Sequence, residues 1–262
     1  MANPRNLAKI CAFLAIVAAI SFFAMLYDAL ADKFSTWKLG WAPSPCGSEG
    51  TASKGYNAFA MHVFFMALAF GLMAPIGAVT YVVVRDTLGL SQMVAKCVHG
   101  TCQLGAFLCS ILGYTQMYYS HGADCKSTPH FQSVHSYVGI VVLVIFWAQL
   151  PSALVVFSNK TLLPPGGFGR KAFVKYHVFF GSYGVFAGLF TVILGILALE
   201  AKSTTSLPTP DSWYKFSRAA SAALVTSVLL ALSLYEAKAP SSTKMNKSPE
   251  DPLLLPVNNQ YE

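Results

Sequence analysis

Six stretches of this chain carry no Asp, Glu, Lys or Arg: residues 10–27, 55–84, 97–123, 127–159, 176–199 and 219–235. They run 18, 30, 27, 33, 24 and 17 residues. Crossing the ~30 Å hydrocarbon of a bilayer takes roughly 17–25 apolar residues as a helix, which satisfies every backbone N–H and C=O internally. The stretches therefore predict an all-α membrane protein of six transmembrane helices, the last near the lower length limit. Charged residues are only 11% of the chain, against about 25% in a soluble domain, which excludes a water-soluble globule. One six-helix domain over residues 1–237 is expected, followed by a disordered cytosolic tail over 238–262, rich in Pro, Ser and Lys.

The first stretch is too long for a signal-peptide core of about 7–15 residues, so Ala29-Leu30-Ala31 is read as part of an uncleaved helix. Six spans put both termini on one side. Lys and Arg number 11 on that side and 7 on the other, which predicts cytosolic termini. The net charge of +7 then reports topology rather than nucleic-acid binding, since no basic surface domain exists to hold a strand. Cys11, Cys97, Cys102 and Cys109 lie in or beside spans. Cys46 and Cys125 fall in the outer loops, where oxidising conditions predict a disulfide between them. The sequons at Asn159 and Asn246 must stay unused on this topology.

Four of the charge-free stretches carry a histidine a few residues inside an apolar run: "AFAMHVFFMALAF", "AKCVHGTCQLGAF", "FQSVHSYVGIVVLVIFW" and "VKYHVFFGSYGVF". Following the chain from a cytosolic start places His62 and His135 toward the outside and His99 and His177 toward the inside. Any one of them could be a satisfied helix–helix hydrogen bond. Ionisable residues inside a membrane are costly and tend to be functional, and four that sort into two layers predict ligands.

Zinc and other first-row metals usually take three or four protein donors, often with carboxylate or thiolate. Here each layer offers two imidazoles and no acid. Two imidazoles suit the axial positions of a haem, whose equatorial donors come from the porphyrin. No Cys-x-x-Cys-His occurs, so two b-type haems are expected, with electron transfer as their work. Gly139 and Gly181 follow their histidines at i+4, and with Gly184 and Gly188 they could open a slot for the macrocycle or serve ordinary close helix packing. The rival is a haem-free transporter or proton relay built on the same histidines. Such relays usually pair histidine with acids near the midplane, and these spans hold none.

At "MHVFFMALAF", "KCVHG", "FQSVHSYVGI" and "KYHVFFGSYG" the chain resembles the cytochrome b-561 family of six-helix, two-haem membrane proteins, over about residues 55–200. The resemblance implies a homodimer in membrane lipid that takes electrons from cytosolic ascorbate. The acceptor it implies is monodehydroascorbate or a ferric iron chelate on the outer or lumenal side. Two positions depart from the family pattern: Gln103 stands where a second histidine is common, and Tyr137 where Trp is frequent. Ascorbate is an anion, so its inner site should be basic, which points to Lys96, Lys175, Arg170 and Lys171. Each of these could equally be a positive-inside anchor. On the outer side Tyr119, His121 and Phe131 are candidates for the acceptor, His121 by its match to a family loop histidine. "EDPLLL" in the tail resembles an acidic dileucine signal, which leaves vesicle, endosomal or lysosomal, and plasma membranes as destinations.

Overall fold

The computed structural model describes residues 4–33, 52–122, 131, 133–158, 167–203 and 210–237. Among them there is no strand; the chain forms six long helical runs. They are α1 (Pro4–Lys33), α2 (residues 52–87), α3 (Gln92–Gly122), α4 (Val134–Ser158), α5 (Phe168–Ser203) and α6 (Pro210–Ala237). Five are long and apolar enough to cross a membrane: Arg5–Ala31, Ala58–Thr87, Val134–Phe157, Phe168–Ala198 and Lys215–Tyr235. The sixth, α3, has the length but a lower hydropathy, because Gln103, Ser110, Thr115, Gln116 and several glycines dilute its apolar side chains. The protein is an all-α, multi-pass membrane protein, as the charge-free stretches require.

The helices pair antiparallel: α2 with α3, α4 with α5, and α1 with α6. The α1–α6 seam follows a heptad rhythm of small and large residues. Ala8, Ala12, Ala15, Ala19, Phe22 and Leu26 are buried on α1, against Phe216, Ala219, Ala223, Thr226 and Leu230 on α6. Small residues let two backbones approach where lipid removes the hydrophobic drive for helix association. The opposite face of α1, including Ile10, Phe13 and Val17, is exposed, as a lipid-facing surface must be.

Helix α2 is not a uniform α-helix. Two wide turns, Ala67–Met73 and Tyr81–Thr87, carry i→i+5 bonds, seen directly in Leu88 N–H to Val83 O at 2.9 Å. The first wide turn precedes Pro75, which has no N–H and would clash with the carbonyl four residues back. A wider turn absorbs that clash without ending the span. The second ends at Gly89, whose φ of 68° closes the helix in the left-handed region that glycine adopts freely.

The core sits at mid-depth among α2, α3, α4 and α5. Phe70 and Phe146 meet edge-on with ring centroids 5.0 Å apart. Phe70 fills the space beside Gly188, so a side chain there would collide with the ring. Trp147 donates from its indole N–H to Ser110 Oγ at 2.9 Å, and Ser110 donates onward to Phe107 O at 2.8 Å. Tyr114 packs edge-on against the same indole, with centroids 5.7 Å apart. The polar handles of this apolar layer are thus satisfied inside it.

Candidate functional site

Each of the four histidines lies on a different helix, and the fold brings them together in two pairs. His62 on α2 faces His135 on α4 with ring centroids 6.3 Å apart and planes at 86°. His99 on α3 faces His177 on α5 at 6.5 Å and 77°. The two pairs sit at opposite ends of the core, with Phe70, Phe146 and Trp147 between them.

Three of the imidazoles are oriented by one device. His62 Nδ1 lies 2.9 Å from Gly113 O, His99 Nδ1 2.9 Å from Gly77 O, and His135 Nδ1 2.9 Å from Thr191 O. A carbonyl can only accept, so Nδ1 carries the proton in each and Nε2 keeps its lone pair. This is how proteins fix the tautomer and ring orientation of a metal-ligating histidine. His135 needs more: a Cβ on Gly195 would stand 2.8 Å from its Cε1, so only glycine leaves room for the ring. His177 differs. Its ring is stacked by Phe173 at 5.9 Å and 18°, with Phe157 edge-on at 6.1 Å, and its Nδ1 is buried with no hydrogen-bond partner.

The residues fit an iron porphyrin. A metal–imidazole bond of about 2.0 Å on each side, plus about 1.1 Å from ring nitrogen to ring centre, would put two imidazole centroids about 6.2 Å apart. Both observed separations match that span. Among the described residues no cluster of three or more His, Cys, Asp or Glu exists. Two donors per layer leave the rest of a coordination sphere to the ligand itself, as a porphyrin supplies it.

The glycines for which a slot and ordinary packing were both open lie against neighbouring helices. A Cβ on Gly139 would touch Thr191 at 3.5 Å, one on Gly184 would touch Phe146 at 3.5 Å, and Gly188 receives Phe70. Gly181 faces Gln149 on α4. They let α4 and α5 approach, which carries the Thr191 carbonyl to His135. Gln103, the departure on α3, lies over Gly77 and donates from Nε2 to Ala74 O at 3.3 Å. It therefore holds the turn whose carbonyl orients His99.

The basic candidates lie on α3 and α5 at the end that carries His99 and His177. Lys96, Lys171 and Lys175 are exposed. Arg170 is half-buried, with its guanidinium 5.3 Å from the centre of the Phe157 ring that also meets His177. One further group at this end is not among the sequence candidates. Tyr81 packs on His99 at 5.6 Å, and Arg85 lies 6.0 Å above Tyr81 while pairing with Asp86 at 2.6 Å. Its signal was there: Arg85 is the first charge after the longest apolar run of α2, one turn beyond Tyr81. Phe131, just before α4, is exposed with φ of 59°. Tyr119 and His121 stand in the last turn of α3, where no side chain is described, and Cys46 and Cys125 lie outside the described residues.

Residues 61–202 match the family model for eukaryotic cytochrome b561. A plasma membrane ascorbate-dependent reductase of Xenopus laevis is 25% identical over 186 residues, covering 67% of this chain and 60% of that one. A transmembrane ascorbate-dependent reductase of Ovis aries is 28% identical, covering 56% and 55%. Transmembrane ascorbate ferrireductase 2 of Arabidopsis thaliana is 31% identical, covering 53% and 56%. The chain spans little more than half the length of the curated relatives it matches.

Proposed function

The chain belongs to the eukaryotic cytochrome b561 family, and from that premise we propose that it carries single electrons across a membrane from cytosolic ascorbate through two b haems. The acceptor is monodehydroascorbate or a ferric chelate on the outer or lumenal side. The observation that carries this reading is the pair of facing imidazoles at each of two depths, 6.3 and 6.5 Å apart. The names of the relatives, ascorbate-dependent reductases and a ferrireductase, supply the donor and one acceptor class.

A b haem between each pair supplies a reversible one-electron ferric–ferrous couple. His62 and His135 hold the outer one, and His99 and His177 the inner one. The carbonyls of Gly113, Thr191 and Gly77 keep three of the Nε2 lone pairs aimed. The Phe70–Phe146 layer keeps water out of the midplane, so charge crosses as an electron and not as a hydrated ion. At the inner mouth Lys96, Lys175, Arg170 and Lys171 draw in the ascorbate anion, which loses one electron and one proton to become monodehydroascorbate. At the outer mouth Tyr119, His121 and Phe131 receive the acceptor, which gains the electron. The termini are cytosolic, Cys46 bonds to Cys125, and two copies associate as a homodimer in an endosomal or lysosomal, other vesicle, or plasma membrane.

Haem-to-protein ratios of the single His→Ala variants test the reading. His62→Ala or His135→Ala should lose the outer haem alone, and His99→Ala or His177→Ala the inner haem alone. A variant that keeps both haems with unchanged spectra strikes that histidine from the ligand set. A colourless wild-type protein would return the chain to the haem-free transporter class.

A further inference from the structure

Three histidines send Nδ1–H to a main-chain carbonyl on the neighbouring helix, and the fourth does not. The helix register says where its partner belongs. On the antiparallel α4–α5 pair, His135 meets Thr191. Advancing about 14 residues along α4 and stepping back the same number along α5 spans about 21 Å on each and reaches Gln149 opposite His177. The Gln149 main-chain carbonyl already accepts from Ser152 Oγ at 3.0 Å, across Pro151 inside the helix. The Gln149 side chain, by contrast, ends in a buried Oε1 with no partner. That oxygen lies 3.9 Å from where a Cβ on Gly181 would stand, one turn beyond His177 on α5. A buried donor-capable nitrogen and a buried acceptor oxygen, each without a partner, thus occupy register-matched places on adjacent helices. Orphaned buried polar groups are rare because each costs the full desolvation of the group.

We propose that Gln149 is the positioning residue of His177: in the haem-loaded protein its carboxamide oxygen accepts the His177 Nδ1–H, in the role that main-chain carbonyls play for the other three. This rests on His177 being an inner-haem ligand. A carbonyl in a helix is fixed, whereas Gln149 reaches its place through rotatable side-chain bonds. The inner haem is therefore the one whose ligand basicity a single side chain sets.

The test uses the full-length, haem-loaded protein with Gln149→Leu, Gln149→Glu and, as a control, His177→Ala. Haem-to-protein ratio, redox titration of each haem and the ferric low-spin resonance spectrum are measured. Gln149→Leu removes the acceptor and should move the inner-haem midpoint upward. Gln149→Glu is a stronger acceptor, pushes electron density onto the imidazole and should move it downward. The outer haem should not respond to either. Inner midpoints and spectra unchanged in both variants, or shifted in the same direction by both, overturn the proposal, since a packing role predicts no dependence on acceptor strength. Should Gln149→Leu fail to fold, the downward shift in Gln149→Glu still decides. Loss of the inner haem in His177→Ala together with unresponsive Gln149 variants overturns this inference alone. Retention of that haem in His177→Ala overturns the ligand assignment beneath it, and the inference with it.

Discussion

A histidine inside lipid is costly, and that cost is why all four were legible in the sequence: no charged residue competes for attention in those stretches. Their partners were not legible, because a main-chain carbonyl has no residue type to betray it. The glycines illustrate the difference. Gly139 and Gly181 share a face with their histidines at i+4, which left a slot and ordinary packing equally open, and the structure gives the packing. Gly195 carried no such signal, yet it is the glycine that His135 requires. Replacing it with Val should push the ring off the Thr191 carbonyl, so haem content falls by about half while the inner-haem spectrum stays. Pigment analysis of the purified variant checks this. Lys96 and Lys175 give a second expectation. Each is an exposed point charge near the inner pair, so Lys→Ala should weaken ascorbate's apparent affinity several-fold without loss of haem. The effect should fade with salt, as the screening length drops from ~10 Å at 0.1 M to ~3 Å at 1 M. Stopped-flow reduction at two ionic strengths measures both.

Helix by helix, length and absence of charge located all six long helices, of which five are apolar enough to cross a membrane and α3 is the less apolar sixth. The wide turns of α2 were hidden. Pro75 announces a disturbance, but where the chain absorbs it depends on packing around Phe70 and Gly71, which no local pattern encodes. The α1–α6 seam is plain once its register is known, and it lies apart from the histidines. Ala223 is fully buried there. Enlarging it to Leu should cost about 1–3 kcal/mol by overpacking. Haem-to-protein ratio and both midpoints should remain those of the wild type, because neither helix of the seam bears an imidazole. A thermal melt followed alongside the visible spectrum separates these effects.

The whole molecule is two like layers facing opposite compartments, so its activity should be vectorial. Vesicles loaded with ascorbate should reduce an external ferric chelate, and those with ascorbate only on the acceptor side should do so far more slowly. Equal rates from both sides would contradict an inner site for the donor. The proposed Cys46–Cys125 bond belongs to this scale too. Peptide mapping without reductant should recover the two cysteines as one linked fragment. The spacing of the layers has an electrical consequence. About 21 Å separates the imidazole pairs along α4 and α5, in a hydrocarbon about 30 Å thick. An electron passing between them crosses roughly 70% of the membrane's voltage drop, which is worth about 1.6 kcal/mol for every 100 mV. A compartment held negative therefore pushes its electrons outward through this protein, and dissipating that potential brakes the flow without touching a single residue.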